Sequence, residues 1–370
     1  MNLAVIRWRM AASGGVERFI FDIARTLEGR DVAVTLITEP FTSAEPFAGR
    51  ILDLPRSRGG RAARFRRFQA AVGEVLARES FSLVQSHERV LTADLYRAGD
   101  GVHAAWFARL QRSRPKWRAA GMRLDPMHRL YMATERRMAQ ETSMLFVANS
   151  SLVARELGKY LGLEETRIRL IENGVDLDRF APAADAARAK ARQDLGLPES
   201  GPVAAYVGSG FERKGAFHLV RALADPGLHD LSVIIVGRDK AEGALRDLVA
   251  RLGLAGRVHI AGPLADVRPA LHAADLFVLP TLYDPMPNAA LEALACGLPV
   301  VTTPDAGIAD AIKETGAGAV AARDAEPLAA ALIEVLDRLE EAHAAARTLR
   351  PRYALTDTVD KWLDLYREWA

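Results

Sequence analysis

Val203–Gly215 reads VAAYVGSGFERKG: five apolar residues, two glycines at 208 and 210, then the basic pair Arg213-Lys214 ahead of Gly215. A short unbroken apolar run that ends in glycine is the pattern of a strand buried on both faces, and the residues after it start a helix. The same order opens the chain, with a strand over Leu3–Ile6, a loop ending in Gly14 and Gly15, a helix over Val16–Leu27 and a second strand over Val32–Thr38. Working outward, apolar runs at Ile51–Leu54, Leu83–Ser86, Met144–Ala148 and Ile168–Ile171 alternate with helical stretches, and a second series follows at Leu231–Val236, Val258–Ala261, Leu276–Leu279, Val300–Thr302 and Ala317–Ala321. The alternation predicts an α/β chain of two doubly wound, Rossmann-like domains in tandem, facing a central cleft at the carboxyl ends of their strands. The Asn-Gly turn at Asn173-Gly174 marks the boundary, giving domains over residues 1–172 and 173–355. The last helix, Thr356–Trp369, carries Trp362, Leu363, Leu365, Tyr366 and Trp369, too much aromatic area to leave in water, so residues 356–370 are expected to pack back on the first domain.

At 370 residues, 49% hydrophobic and a formal charge of +2, the composition is that of an ordinary globular protein, and charge alone indicates no nucleic-acid partner. The single cysteine, Cys296, allows neither a disulfide nor a cysteine metal site within one chain, which fits a reducing compartment. The opening MNLAVIRWRM is too short an apolar run for a secretory signal, and no segment approaches the ~20 apolar residues that span a bilayer, so a cytoplasmic location is expected. Charge is uneven, however. Arg56–Arg67 holds six arginines and no acid, and Arg109–Arg137, with Trp106 and Phe107 just ahead of it, interleaves Arg112, Arg114, Lys116, Arg118, Arg123 and Arg129 with Trp117, Met122, Met127, Leu130, Tyr131 and Met132. Basic residues among aromatic and thioether side chains suit the face of an anionic bilayer; two solvated helices with arginine-rich outer faces are the alternative, and no nucleic-acid-binding motif is present.

Asp284–Val300, DPMPNAALEALACGLPV, places two carboxylates eight residues apart across a helix start. Pro285 and Pro287 exclude helix before them, Pro287 suits the first helical position, and Gly297 ends the run. Asp284 then lies on a loop and Glu292 on the helix, and each can bind a hydroxyl-bearing ring. The amide N–H groups between them, at Asn288 and Ala289, attract phosphate. Arg213 and Lys214 can stabilise a leaving nucleoside diphosphate without metal; as plain solvated cations in a first helical turn they would oppose the helix dipole. Gly14-Gly15 lets backbone approach a ligand or simply makes a tight turn, and lacks the later glycine of the GxGxxG dinucleotide fingerprint. Asp176-Leu177-Asp178 is formally a metal-binding DxD, yet it follows the linker turn without a carboxylate cluster, and the eight histidines show no metal spacing, so no metal site is expected. In DLYRAGDGVHAAW, Asp100 and His103 occupy a glycine-containing loop where either could orient an acceptor hydroxyl or serve as a structural hydrogen-bonder; His87 and Glu88 allow the same two readings.

Taken together, GGVERF, NGVD, VGSGFERKG and the D-x7-E element with its following ALACGLPVVTT resemble the retaining glycosyltransferases of family 4, over nearly the whole chain. Within that family the chain looks most like the lipopolysaccharide core glucosyltransferase I group, because YRAGDGVH and the basic, aromatic insert after it sit where that group carries its membrane-interacting region. The resemblance implies the GT-B fold and metal-free, front-face transfer of a hexose, glucose in that group, from a UDP-sugar to a lipopolysaccharide core or related membrane glycolipid. It implies no cofactor, and a peripheral position on the cytoplasmic face of the inner membrane, held through Arg56–Arg67 and Arg109–Arg137. Carried over by position, Gly14 and Gly15 contact the donor phosphates, Arg213 and Lys214 neutralise the diphosphate, and Glu292 holds the ribose. Asp284 stands where the pattern has a glutamate that reaches the donor sugar. Asp100 and His103 serve the acceptor. Phe19 departs from the pattern, which has an acid there. Two other readings fit the same architecture, a GT-B-fold UDP-sugar 2-epimerase and, outside catalysis, a membrane-docking protein that keeps the fold without turnover.

Overall fold

The computed structural model describes residues 1–10, 15–43 and 45–370. They form two compact units, Met1–Asn173 with Thr358–Ala370, and Gly174–Asp357.

The first unit is built on β1 (Asn2–Ile6), β2 (Ala33–Thr38), β3 (Arg50–Asp53), β4 (Leu83–Ser86), β5 (Leu95–Arg97), β6 (Leu145–Ala148) and β7 (Ile168–Leu170), in the sheet order β3-β2-β1-β4-β5-β6-β7. The second is built on β8 (Val203–Val207), β9 (Ser232–Val236), β10 (Val258–Gly262), β11 (Leu276–Leu279), β12 (Val300–Thr302) and β13 (Gly318–Val320), ordered β10-β9-β8-β11-β12-β13. All pairings are parallel. Every residue of β8 and β9 is buried, as a parallel sheet covered by helices on both faces requires. Each sheet grows outward from its first strand in both directions. The order therefore reverses between β1 and β4 and again between β8 and β11, and loops leaving those carboxyl ends part to open a crevice.

β5 is absent from the apolar pattern of the sequence. It is only three residues long and two of them are Tyr96 and Arg97, yet it sits inside the sheet between β4 and β6. The Asp94 carboxylate accepts the Val84 N–H at 2.8 Å and the Asp94 carbonyl accepts that of Leu145 at 3.0 Å, so polar contacts hold the strand in register where hydrophobic alternation does not announce it.

The final helix, Leu355–Trp369, buries Trp362, Leu363, Leu365 and Tyr366. Trp362 meets the ring of Phe19 edge-on at 6.0 Å, and the Tyr366 hydroxyl donates to Gln85 Oε1 at 2.7 Å. An amphipathic stripe of this size would not form a stable isolated helix; burial against Gly15–Leu27 and β4 holds it.

Candidate functional site

In the second unit, β8 ends at Val207 and the chain turns through Gly208, Ser209 and Gly210 into a single helical turn, Phe211–Lys214. Arg213 and Lys214 close this turn instead of opening the next helix. Gly215 separates the two because its backbone is left-handed, with φ +85°, and a Cβ there would lie 2.0 Å from the Pro280 carbonyl oxygen. Only glycine allows this approach, and the approach docks the turn on the loop after β11. Leu282 N–H donates to the Arg213 carbonyl at 2.7 Å, and Arg213 Nη1 donates to the Tyr283 carbonyl at 2.9 Å. Gly208 makes room for the Lys214 stem, since a Cβ at 208 would stand 2.5 Å from Lys214 Cδ.

Asp284 sits at the end of the same β11 loop, its backbone clamped by Asp284 N–H to the Asp305 carbonyl at 3.0 Å and Gly307 N–H to the Asp284 carbonyl at 2.8 Å. One oxygen of its buried carboxylate lies 3.5 Å from Lys214 Nζ and 3.8 Å from Arg213 Nη1. The helix that follows runs Asn288–Ala295, so it begins one residue later than the sequence suggests, with Pro287 as the extended residue before it and not its first helical residue. Its first-turn residues Asn288 and Ala289 are half-buried, as is Glu292 one turn on. The helix closes at Gly297, φ +79°, where Leu298 N–H reaches back to the Ala293 carbonyl at 3.0 Å. At the β8–β11 switch point the fold thus brings two cations, a carboxylate and a helix N-terminus into one place. One further residue, Asp239 after β9, belongs to this arrangement. Its carboxylate accepts the Phe211 N–H at 3.0 Å and caps the cationic turn from a neighbouring loop.

The DxD at Asp176 is used internally, Asp176 Oδ1 accepting the N–H groups of Asp178 at 3.0 Å and Arg179 at 2.9 Å. Among the described residues no group of three or more His, Cys, Asp and Glu side chains is placed to hold a metal ion.

In the first unit, Gly14 lies outside the described residues and Gly15 opens the helix Gly15–Leu27. The carboxyl ends of β1 and β4 converge on Arg7, whose guanidinium reaches Glu17 at 3.1 Å, Glu88 at 3.2 Å and Asp100 at 3.3 Å. Of these carboxylates only Asp100 is open to solvent. Desolvation works against its charge, but Arg7, Arg89 and Arg97 outweigh that and hold the Asp100 carboxyl below its usual range. Burial, only partly offset by Arg7, pushes Glu88 upward.

His103 is not a loop residue. It begins the buried side of the helix His103–Arg112, with its N–H held by the Glu135 carboxylate at 2.9 Å and 3.0 Å. Its ring stacks on His128 with Nε2 at 2.9 Å from His128 Nδ1, and burial, aided by the charge of Arg89, lowers it to about 3. His103 is therefore neutral and turned to His128. His87 is likewise driven well below the ordinary histidine value by burial and by Arg97 and Arg7, and its Nε2 lies 2.9 Å from Gln85 Nε2. Phe19 carries the Arg97 guanidinium 3.8 Å above its ring, so a buried cation is met by a π face at this position. Burial lowers Arg97 to about 10.

The two basic segments differ in what they bury. The helix Arg61–Arg78 buries Phe65, Phe68 and Val72 and leaves Arg61, Arg66 and Arg67 outside. In the second segment the helix Lys116–Met122 buries nothing; Trp117 is 71% exposed and Leu124 75% exposed, amid exposed Arg112, Lys116, Arg118, Arg123 and Arg129. Not all of its arginines face outward, since Arg109 pairs with buried Glu156 at 2.7 Å. Among the described residues no helix is long and apolar enough to cross a membrane.

Residues 13–179 match the family model for Glycosyltransferase Family 4, and residues 201–338 that for Glycosyl transferases group 1. A D-inositol 3-phosphate glycosyltransferase of Geodermatophilus obscurus is 30% identical across 96% of this chain and 84% of its own length. Another, from Salinispora arenicola, is 38% identical across 54% of this chain and 48% of its own length, so that match spans about half of the relative. The lipopolysaccharide glucosyltransferase WaaG of Escherichia coli K12 is 26% identical across 87% of this chain and 85% of its own length. A crystal structure of WaaG, a glycosyltransferase involved in lipopolysaccharide biosynthesis, superposes with a TM-score of 0.84 at 26% identity, covering 98% of this chain and 99% of that one.

Proposed function

This chain belongs to the family 4 glycosyltransferases and has their GT-B fold, and from that membership we propose that it transfers a hexose with retention, glucose in the first instance, from a UDP-sugar to a membrane glycolipid of the lipopolysaccharide core type. The observation that carries the donor half is the convergence of Arg213, Lys214 and the start of the helix Asn288–Ala295 at the β8–β11 switch point. The guanidinium fork and the ammonium neutralise the diphosphate as it leaves, with no metal ion required, and Glu292 takes the ribose hydroxyls. Asn288 and Ala289 offer N–H groups to the phosphates. On the acceptor side Asp100, ionised and solvent-facing beside Arg7, orients the incoming hydroxyl. His103 supports that region through His128 and does not act on substrate.

The acceptor class rests on the exposed cations around Trp117 and Leu124, which suit the anionic cytoplasmic leaflet of an inner membrane. A soluble phosphorylated cyclitol is the second reading, favoured by relatives named for D-inositol 3-phosphate at 30% and 38% identity. UDP release from UDP-glucose, measured separately with a purified glycolipid and with inositol phosphate as acceptor, tests both. Sugar transfer to the glycolipid supports the main reading and transfer to inositol phosphate the second. Epimerised UDP-sugar, or no release with either acceptor, overturns both.

A further inference from the structure

Lys214 and Arg213 both lean on a single oxygen of Asp284, at 3.5 Å and 3.8 Å, although they are the groups that must meet an incoming diphosphate. We propose that Asp284 is the resident counter-anion of this pair: it neutralises the cations between turnovers, competes with the nucleoside diphosphate for them, and thereby speeds product release.

The geometry favours competition over simple support. The Asp284 backbone is clamped on both sides by Asp305 and Gly307, so the carboxylate cannot be withdrawn by a shift of the loop. The Lys214 stem is likewise confined, lying where Gly208 lacks a Cβ, while Arg213 Nη1 is also tied to the Tyr283 carbonyl. A diphosphate entering here finds two positive charges already partly balanced by one fixed negative charge, and its own oxygens must share those donors. Repulsion between the carboxylate and the phosphate oxygens then opposes tight product binding in a part-buried site where screening is weak. An aspartate suits this task because its short side chain keeps the charge on the cations, near the loop that carries it.

The inference rests on the nucleotide-sugar reading, and its test separates the two. UDP affinity and off-rate are measured on the full chain for the wild type, Asp284→Asn and Asp284→Glu, with thermal unfolding recorded for each. Asp284→Asn, close in shape and without charge, is expected to bind UDP at least threefold more tightly, to release it more slowly and to show a steeper loss of affinity with salt. Asp284→Glu, which keeps the charge, is expected to show no such tightening. UDP binding by the wild type with equal or weaker binding by a folded Asp284→Asn overturns the inference alone. No UDP binding by folded wild type overturns the donor reading and this inference with it. Should Asp284→Asn fail to fold, Asp284→Ser, equally without charge, takes its place: tighter UDP binding than wild type supports the competition, and equal or weaker binding by the folded variant overturns it.

Discussion

The Asp239 carboxylate accepts the Phe211 N–H at 3.0 Å, so a side chain from the loop after β9 caps the helical turn that carries Arg213 and Lys214. The turn spans only Phe211–Lys214 and has no capping side chain of its own, because Gly210 precedes it. Loss of such a cap costs about 1 kcal/mol. Asp239→Ala is therefore expected to weaken UDP binding roughly fivefold, with Asp239→Asn in between, as read by titration calorimetry. Unchanged affinity in Asp239→Ala removes Asp239 from the site.

Arg213→Ala is expected to lower the transfer rate by about 10²–10³-fold, the range for removing one preorganised donor to a developing charge, with little change in melting temperature because the side chain is part-exposed. Steady-state transfer assays with and without a chelator check this. Strict dependence on magnesium or manganese rejects the metal-free mechanism.

Trp362 is fully buried between Phe19 and Tyr366 on the last helix. Trp362→Ala is expected to cost about 3–5 kcal/mol. Tyr366→Phe, which strands the Gln85 acceptor, is expected to cost about 1–3 kcal/mol. Denaturant unfolding measures both, and a Trp362→Ala protein as stable as wild type removes the docked helix from the first unit's core.

His103 is buried and lowered to about 3, whereas in the unfolded chain it titrates near the ordinary value of about 6.5. The unfolded state therefore binds the extra proton first as pH falls. Stability attributable to this group is whole above about pH 6.5 and declines toward pH 3, by at most about 1.4 kcal/mol per pH unit. His87, also lowered, acts in the same direction. Urea unfolding at pH 7 and pH 5 should show the loss, and His103→Gln should reduce its slope; a slope unaffected by that substitution rejects the assignment.

Trp117→Ala and the paired charge reversals Arg118→Glu and Arg123→Glu are expected to weaken binding to vesicles of anionic lipid, each cation contributing about 1 kcal/mol, and salt should weaken the wild type in the same way. Vesicle co-sedimentation is the readout. Binding indifferent to lipid charge and to salt dismisses the membrane surface.

Much of the donor half-site was readable along the chain because its parts are local. Arg213 and Lys214 follow directly on β8, and Asp284 and Glu292 sit within one loop and helix, so turn chemistry and spacing brought them forward. Their exact seat was not readable. That Gly215 breaks the helix after Lys214 depends on the Pro280 carbonyl, which lies 65 positions away in sequence and beside it in space. The first unit was less legible for the same reason: Arg7, Glu17, Glu88 and Asp100 come from four separate segments and no motif joins them, while His103, which the sequence put in a loop, is buried against His128.

The sequence by itself determined the alternation of strands and helices, the glycines where backbone must turn, the absence of a second cysteine and the arginine-rich faces. These are properties of periodicity and composition, which act over a few residues at a time. Only the tertiary structure decided that the short run Leu95-Tyr96-Arg97 becomes β5, that Asp239 caps another loop's helix, and that Asp284 shares one carboxylate oxygen between Lys214 and Arg213. Those outcomes come from distant groups that are desolvated together. Once water is excluded, a polar atom must find whichever partner the packing brings within reach, and neighbours in the chain do not say which one that will be.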